Sequence, residues 1–346
     1  MTRVRAGIKE IAEASGVSQA TVSQVLGGGK RPVRVETRAR VEQAARALGY
    51  RPSAVARGLA GKRMDTLGVV IHHDLQAAHT NPALAAILDG ILSTATRRHQ
   101  HANIVTYSCW EEAEARLPAL TDGRCDGVLL VVPPRRTALV PALLDCGLPF
   151  VLIGAHSDDP RVSCVDIDNV AAAETVVAHL LAQGHRRIAL FSGNPTALEF
   201  VDERVRGYRR ALAAAGLPFD PALVVTGGRV SEDLAPLLER PARRPTALFC
   251  VTDADALSTM QFLPHRGLRV PDDLSVAGFD DVPQAAQAFP PLTTLRQPSA
   301  AAGGRAADLL LAQINGEQPP GAKVCLHTEL VVRRSVAPAP CGLQRA

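Results

Sequence analysis

From residue 65 onward the chain repeats one theme: a short apolar run, then a stretch with helical spacing, then another apolar run. "TLGVVIH", "ANIVTY", "DGVLLVV" and "PFVLIG" alternate with helical stretches near 82–98, 111–120 and 137–146. After "VSCVDID" the pattern restarts with a helix at 170–183, "RRIALFSG", a helix at 203–215, "ALVVTG", a helix at 231–239, "TALFCV", a helix at 254–264 and "LSVAGFDD". Strand–helix alternation builds parallel sheets with helices on both faces. Two rounds of it predict two doubly wound lobes. No repeat at solenoid spacing is present; the restart is on the scale of a domain.

The first 50 residues follow a different rule. Ile8, Ile11 and Ala12 make one apolar helical face. Gly16 suits the positive φ of a helix end, and Ser18 is placed to cap a second helix, Gln19 to Leu26. A third helix is expected at 36–48, with Val41, Ala44, Ala45 and Leu48 inward. Helix, short glycine-containing turn, helix is the helix-turn-helix pattern. The second helix, in "GVSQATVSQVL", carries Ser18, Gln19, Ala20, Thr21, Ser23 and Gln24 between the apolar anchors Val22, Val25 and Leu26. Laid in a major groove, such a helix meets base edges with its N-terminal residues. Gln can pair with adenine, and Ser or Thr can bond bases or phosphates.

Charge supports that reading. Residues 1–63 hold thirteen Lys and Arg against four Glu, although the whole chain is only +4. A basic head on a mildly acidic body is the electrostatic footprint of a polyanion-binding module. The seven cysteines all lie beyond residue 100 without a C-x-x-C pair, so reduced cysteines and a cytoplasmic setting are expected. No apolar run reaches about 18 residues, and the basic N-terminus has no apolar segment of a secretory signal. Neither membrane nor export is expected.

The stretch "GYRPSAVARGLAGKR" adds a turn at Pro52 and a short run ending at Leu59. Together with "IKEIAEASGVSQATVSQVL" it closely resembles the LacI/GalR family of transcriptional regulators. The matching residues are Ala12, Gly16, Val17, Ser18, Thr21, Val22, Ser23, Val25 and Leu26, then Tyr50, Pro52, Ala56 and Leu59. Ser15 stands where Ala is usual, Gln24 where Arg or His is usual, and Gly58 where Ser is usual. The resemblance continues through "HLLAQGHRRIALFSG", "ERVRGYRRAL", "LSVAGFDD" and "PPLTTLRQP", covering roughly residues 7–335. It implies a helix-turn-helix head at 1–50 and a hinge helix at 51–63 that orders on DNA. There Arg57 belongs to the DNA contacts, and Leu59 wedges into the minor groove, as apolar wedges do in kinked duplexes. A periplasmic-binding-protein-like effector and dimerisation body follows at 64–336. Lobe 1 is placed at about 64–166 and 297–323, lobe 2 at about 167–296 and 324–336, and a disordered tail at 337–346.

Ligands of open α/β sheets bind outside the carboxyl ends of the strands. Arg204 after "IALFSG", Asp280 after "LSVAGF" and Thr252-Asp253 after "TALFC" lie there, and His72 ends the first strand. A planar guanidinium fork and a carboxylate suit a polyol or sugar, and the resemblance implies effector contact for Arg204 and Asp280. An interlobe salt bridge is the alternative. Thr252 replaces a usual Asn, and Ala83 follows Asn81-Pro82 where relatives often carry an aromatic; Trp110, Phe200 or the His72-His73 pair are candidates to compensate. Arg229 is placed on a cleft-edge loop, with plain surface exposure as the alternative. No residue set has convincing metal spacing, and no cofactor is expected.

Three classes compete. A transport receptor conflicts with the basic head. An enzyme conflicts with the absence of G-x-G-x-x-G, P-loop and G-x-S-x-G motifs. A ligand-controlled regulator fits: a homodimer, with a tetramer as the alternative, on palindromic operator DNA. Effector-released repression is preferred over corepressor-driven binding.

Overall fold

The computed structural model describes residues 7–26, 32–50, 63–72, 82–196, 198–239 and 244–340. The expectations for Arg57, Gly58, Leu59 and His73 lie outside the described residues. The chain divides into two compact units, residues 1–65 and 66–346.

The head has three helices, α1 (Ile8–Ser15), α2 (Gln19–Leu26) and α3 (Val35–Ala47). Gly16 takes the left-handed conformation at φ 65° and closes α1. Ser18 Oγ accepts the Thr21 N–H at 3.2 Å, capping α2. Ile11, Val22 and Val41 are fully buried, with Ala12, Val25 and Ala45 beside them. Leu48, expected inward, is exposed. The reason is that α3 stops at Ala47 and Leu48 becomes its cap. Tyr50 folds back instead, its N–H on Ala45 O at 2.9 Å and its ring against the core.

The body contains β1 (Thr66–His72), β2 (His101–Tyr107), β3 (Gly127–Val131), β4 (Phe150–Ile153), β5 (Ser163–Ile167), β6 (Ile188–Ser192), β7 (Val224–Thr226), β8 (Ala247–Cys250), β9 (Ser275–Ala277), β10 (Thr294–Arg296), β11 (Lys323–Leu326) and β12 (Glu329–Val331). Its long helices are α4 (Pro82–Arg97), α5 (Asn169–Ala182), α6 (Glu199–Ala214), α7 (Asp253–Phe262) and α8 (Ser299–Ile314). Lobe 1 is a six-stranded parallel sheet in the order β11-β5-β4-β3-β1-β2. Lobe 2 is a four-stranded parallel sheet in the order β7-β6-β8-β9, flanked by the antiparallel pair β10-β12. Every residue of β3, β4 and β5 is buried, as strands covered on both faces require.

Helix pairs set the spacing of the layers. In lobe 1, α4 meets α8 backbone to backbone: a Cβ on Gly90 would lie 1.9 Å from Ala300 O, and one on Gly303 2.0 Å from Ile87 O. No side chain fits either position, so both glycines are needed for close approach.

The chain passes between lobes three times. The third passage, expected near 323, comes after Leu326, because β11 pairs in parallel with β5 through Cys325↔Asp166 and Leu326↔Ile167. The first follows Ile167, the end of β5, rather than 166. The expected helix at 111–120 is two pieces, Trp110–Ala115 and Leu117–Leu120, with Pro118 opening the second. The loose tail does not begin at 337. Ala337 O lies 3.0 Å from His185 Nε2, and Ala339 N–H bonds Gln183 O at 2.8 Å, which ties the chain to lobe 2 at least through Ala339.

Candidate functional site

The head offers one polar face. Ser18, Gln19, Ala20 and Ser23 are exposed on and before α2, Thr21 and Gln24 are half-buried, and Val22 and Val25 point into the core. The short apolar spacing on α2 fixes that orientation. Arg34, Arg38 and Arg40 are exposed nearby in sequence on and before α3.

The body holds a cavity of about 310 Å³ between its lobes. Lobe 1 supplies a mostly apolar wall including Ile71, Leu84, Leu88, Trp110 and Val132, with His72 at the rim. Lobe 2 supplies Asn194, Phe200, Arg204, Thr252 and Asp280, and the interlobe passages add Asp166, Asn169 and Gln297. An apolar wall facing a few convergent polar groups is the usual form of a small-molecule site.

Arg204 is the centre of this wall. α6 begins at Glu199, four residues earlier than expected, so Arg204 sits in its second turn rather than at its start. The side chain is buried, with Nη1 on Val251 O at 2.6 Å and Nε on Asn169 Oδ1 at 3.0 Å. The guanidinium lies 3.5 Å from the Phe279 ring centre and 5.0 Å from that of Phe200, two cation–π contacts. Burial pulls its pKa down to about 10, against the attraction of Asp280.

Asp280 is 3.9 Å from Arg204 Nη1. Its Oδ1 accepts a hydrogen bond from Gln297 Nε2 and its N–H bonds Leu295 O. Burial pushes the carboxyl up to about 8, with Arg204 opposing. Asp280 and Asp281 have φ of 131° and 58°, values that cost roughly 1–3 kcal/mol each for a non-glycine residue. Arg296 and Arg333 clamp Asp281 at 2.7 and 2.6 Å, and so hold the strained pair in place.

One expected residue has another role. Asp253 is fully buried and does not line the cavity. Its Oδ1 accepts from Thr294 Oγ1 and its Oδ2 from the Val282 N–H at 2.9 Å. It pins the Asp280 loop from behind, because the first turn of α7 directs it under β9. Arg229 is exposed, pairs with Glu232 at 3.1 Å and does not line the cavity. Thr252 does line it while capping α7, its Oγ1 accepting the Asp255 N–H at 3.1 Å. His72 is held by Ser108 O at 2.7 Å from its Nε2. Phe200 lines the cavity and stacks on Arg204; Trp110 is a buried part of the opposite wall.

Sequence reasoning missed Asp166, Asn169, Asn194 and Gln297. Each stands at a strand end or beside a passage between lobes, a position that the strand assignment itself marked. His156, Asp166 and Glu203 bring ligand-type atoms within 4.8 Å of one another. The Asn169 amide nitrogen already bonds Glu203 and approaches Asp166, so the group is knitted by hydrogen bonds. No described helix is long and apolar enough to cross a membrane.

Comparison with known proteins gives two matches in chain order. Residues 7–53 match "Bacterial regulatory proteins, lacI family", and residues 177–336 match "Periplasmic binding protein-like domain". The HTH-type transcriptional regulator CelR of Thermobifida fusca is 35% identical over 96% of this chain and 99% of its own. The HTH-type transcriptional repressor PurR of Aliivibrio fischeri strain MJ11 is 31% identical over 96% and 98%. Among solved structures, the CelR–cellobiose complex aligns with a TM-score of 0.72 at 32% identity, over 96% of this chain and 100% of that one. The Lac repressor dimer bound to operator and the anti-inducer ONPF aligns with a TM-score of 0.80 at 26% identity, over 96% and 99%. The chain therefore belongs to the LacI family, as a DNA-binding transcriptional regulator, not an enzyme, with a periplasmic-binding-protein-like effector domain.

Proposed function

We propose that the protein is a homodimeric cytoplasmic repressor that leaves a palindromic operator when a sugar fills the cavity between its lobes. The observation that carries this reading is the make-up of the cavity. Arg204 and Asp280 come from lobe 2, the apolar wall comes from lobe 1, and Asn169 and Gln297 flank the passages between them. A ligand touching all of them binds one lobe arrangement better than others, and that differential affinity is what an allosteric switch needs. The guanidinium, the carboxyl and the amides offer donors and acceptors to hydroxyl groups. The relative solved with cellobiose supports a sugar.

In this reading Ser18, Gln19, Ala20, Thr21, Ser23 and Gln24 read the major groove, with Arg57 and Leu59 acting at the hinge. His72, Arg204, Thr252 and Asp280 contact the effector. Two-fold symmetry of the dimer makes the operator palindromic. The test is operator titration by fluorescence anisotropy, with cellobiose, other neutral sugars, sugar phosphates and nucleobases added in turn. Release by a sugar supports the proposal. Tightening by any of these compounds, or release by a nucleobase alone, overturns it.

A further inference from the structure

A chain of polar contacts runs from solvent to Arg204 beside the first passage between lobes. His156 lies on the loop after β4 and is partly exposed, with Nε2 3.2 Å from Asp166 Oδ2. Asp166 is buried near the end of β5. Asn169, buried at the start of α5, places Nδ2 3.5 Å from Asp166 Oδ2 and 3.2 Å from Glu203 Oε2. Its Oδ1 accepts from Arg204 Nε at 3.0 Å.

The neighbours fix which way round the amide stands. Two carboxylates face one end and a guanidinium faces the other. Only Nδ2 can donate to the carboxylates, and only Oδ1 can accept from the guanidinium. A weaker hold on Nδ2 therefore loosens the acceptor that orients Arg204. The groups around His156 come from three elements. β5 gives Asp166 and the Cys164 thiol. α6 gives Glu203 and Glu199, the latter accepting the His156 N–H at 3.1 Å. The turn after β3 gives Arg135, 3.6 Å from Glu199. Arg206 offsets Glu203 at 3.1 Å.

We propose that His156 is a positioning residue for the effector: as a cation it holds Asp166, which through Asn169 and Glu203 aims the Arg204 guanidinium at the ligand. The proposal rests on the reading of Arg204 as an effector contact. A hydrogen bond to Cys164, together with Asp166 and Glu203, outweighs partial burial and pushes His156 up to about 9. Burial pushes Asp166 up to about 6. The ion pair is then most populated between those two midpoints and falls to about half at each, and the upper limit belongs to His156.

The test uses the full-length ¹⁵N-labelled protein without ligand. The Arg204 Nε–Hε signal, assigned by its loss in Arg204→Lys, is followed from pH 7 to 9.5 beside the His156 imidazole, with residue 156 wild type, Gln or Lys in an Asp280→Asn background that removes the carboxyl titrating near 8 beside Arg204. With His156 present both should move with one midpoint near 9. In His156→Gln the Arg204 signal should stay still over that range. In His156→Lys it should keep its neutral-pH position past the wild-type midpoint, since lysine holds its proton to about 10.4. A His156 titration that leaves Arg204 unmoved overturns the proposal, as does a wild-type shift persisting in His156→Gln. In a second arm, the sugar that releases the wild type should need a roughly tenfold higher concentration for His156→Gln, and His156→Lys should restore the response. If the signals behave as stated while no sugar acts on any form, the effector reading fails and the relay stands. If sugar acts equally on all three forms, the positioning role fails.

Discussion

Replacing Arg204 with Lys keeps the charge and removes the fork. The guanidinium uses Nη1 on Val251 O and Nε on Asn169 Oδ1, and its carbon lies 3.5 Å from the Phe279 ring centre. One ammonium can keep the Val251 contact but cannot also reach Asn169 or stack as a plane. A hydrogen bond from a charged group contributes about 1.5–3 kcal/mol, and a desolvated cation–π contact about 2 kcal/mol. The body should therefore lose about 2–4 kcal/mol of stability, since part of the stacking survives with the ammonium. Effector binding should lose one prong to the ligand, again about 1.5–3 kcal/mol, or roughly 10- to 150-fold in affinity. Operator affinity without ligand should change little. The assay pairs urea denaturation of the full chain with operator titration across concentrations of the releasing sugar. A variant that loses stability but responds at the wild-type sugar concentration would show that Arg204 only braces lobe 2.

At pH 8.5, above the Asp280 midpoint of about 8, Asp280→Asn should raise the effector concentration needed for release by roughly tenfold or more, because one carboxylate acceptor becomes a donor. It should also flatten the pH dependence of stability. The folded state holds the Asp280 proton up to about 8 whereas the unfolded chain releases it near 3.8, so the wild type loses stability as pH rises through that interval. Urea titrations at pH 5 and pH 8.5 should show the variant gaining on the wild type at the higher pH; equal differences at both would refute the account. Gly303→Ala puts a methyl about 2.0 Å from a backbone oxygen of Ile87, and overpacking of this kind costs about 1–3 kcal/mol. A clearly lower thermal midpoint is expected, with Gly304→Ala, which meets the Thr94 hydroxyl at 3.2 Å and Gly90 O at 3.5 Å, milder; the reverse order would refute the close-approach argument. Operator affinity should fall steeply with salt, by about 0.9 in log K per log salt for each phosphate neutralised. A slope shallower than about −3 would contradict the basic head as the source of binding.

Much of this architecture was legible because apolar runs of strand length are hard to disguise. β3, β4 and β5 are wholly buried, and their sequences contain nothing that a solvent-facing strand would need. The helix-turn-helix was legible for a similar reason: Val22 and Val25 leave one way for α2 to turn, and that turn exposes Gln19 and Ser23. What failed to show were features set by tertiary contact. Leu48 and Tyr50 compete for one small core, and backbone geometry after Ala47 decides for Tyr50. Asp253 and Asp280 both follow strands and both carry a carboxylate. Only the path of the loop from β9 to β10 tells the buried pin from the cavity-lining group.

The placement of the missed residues follows from the mechanics of two lobes. A polar group deep in either sheet would hold a ligand without sensing the other lobe. Asp166 and Asn169 instead flank the first passage, and Gln297 follows β10 directly at the second. A ligand bonded there loads the segments about which the lobes turn. The left-handed Asp280–Asp281 pair lies beside the second passage, bridged to Arg296 and clamped by Arg296 and Arg333. Backbone strain of this kind persists only where its surroundings over-determine it. Here the surroundings include Gln297, whose amide bonds Asp280. In the proposed reading, a ligand that competes for that amide changes what holds the strained pair, so recognition of the effector and the response to it would share one side chain.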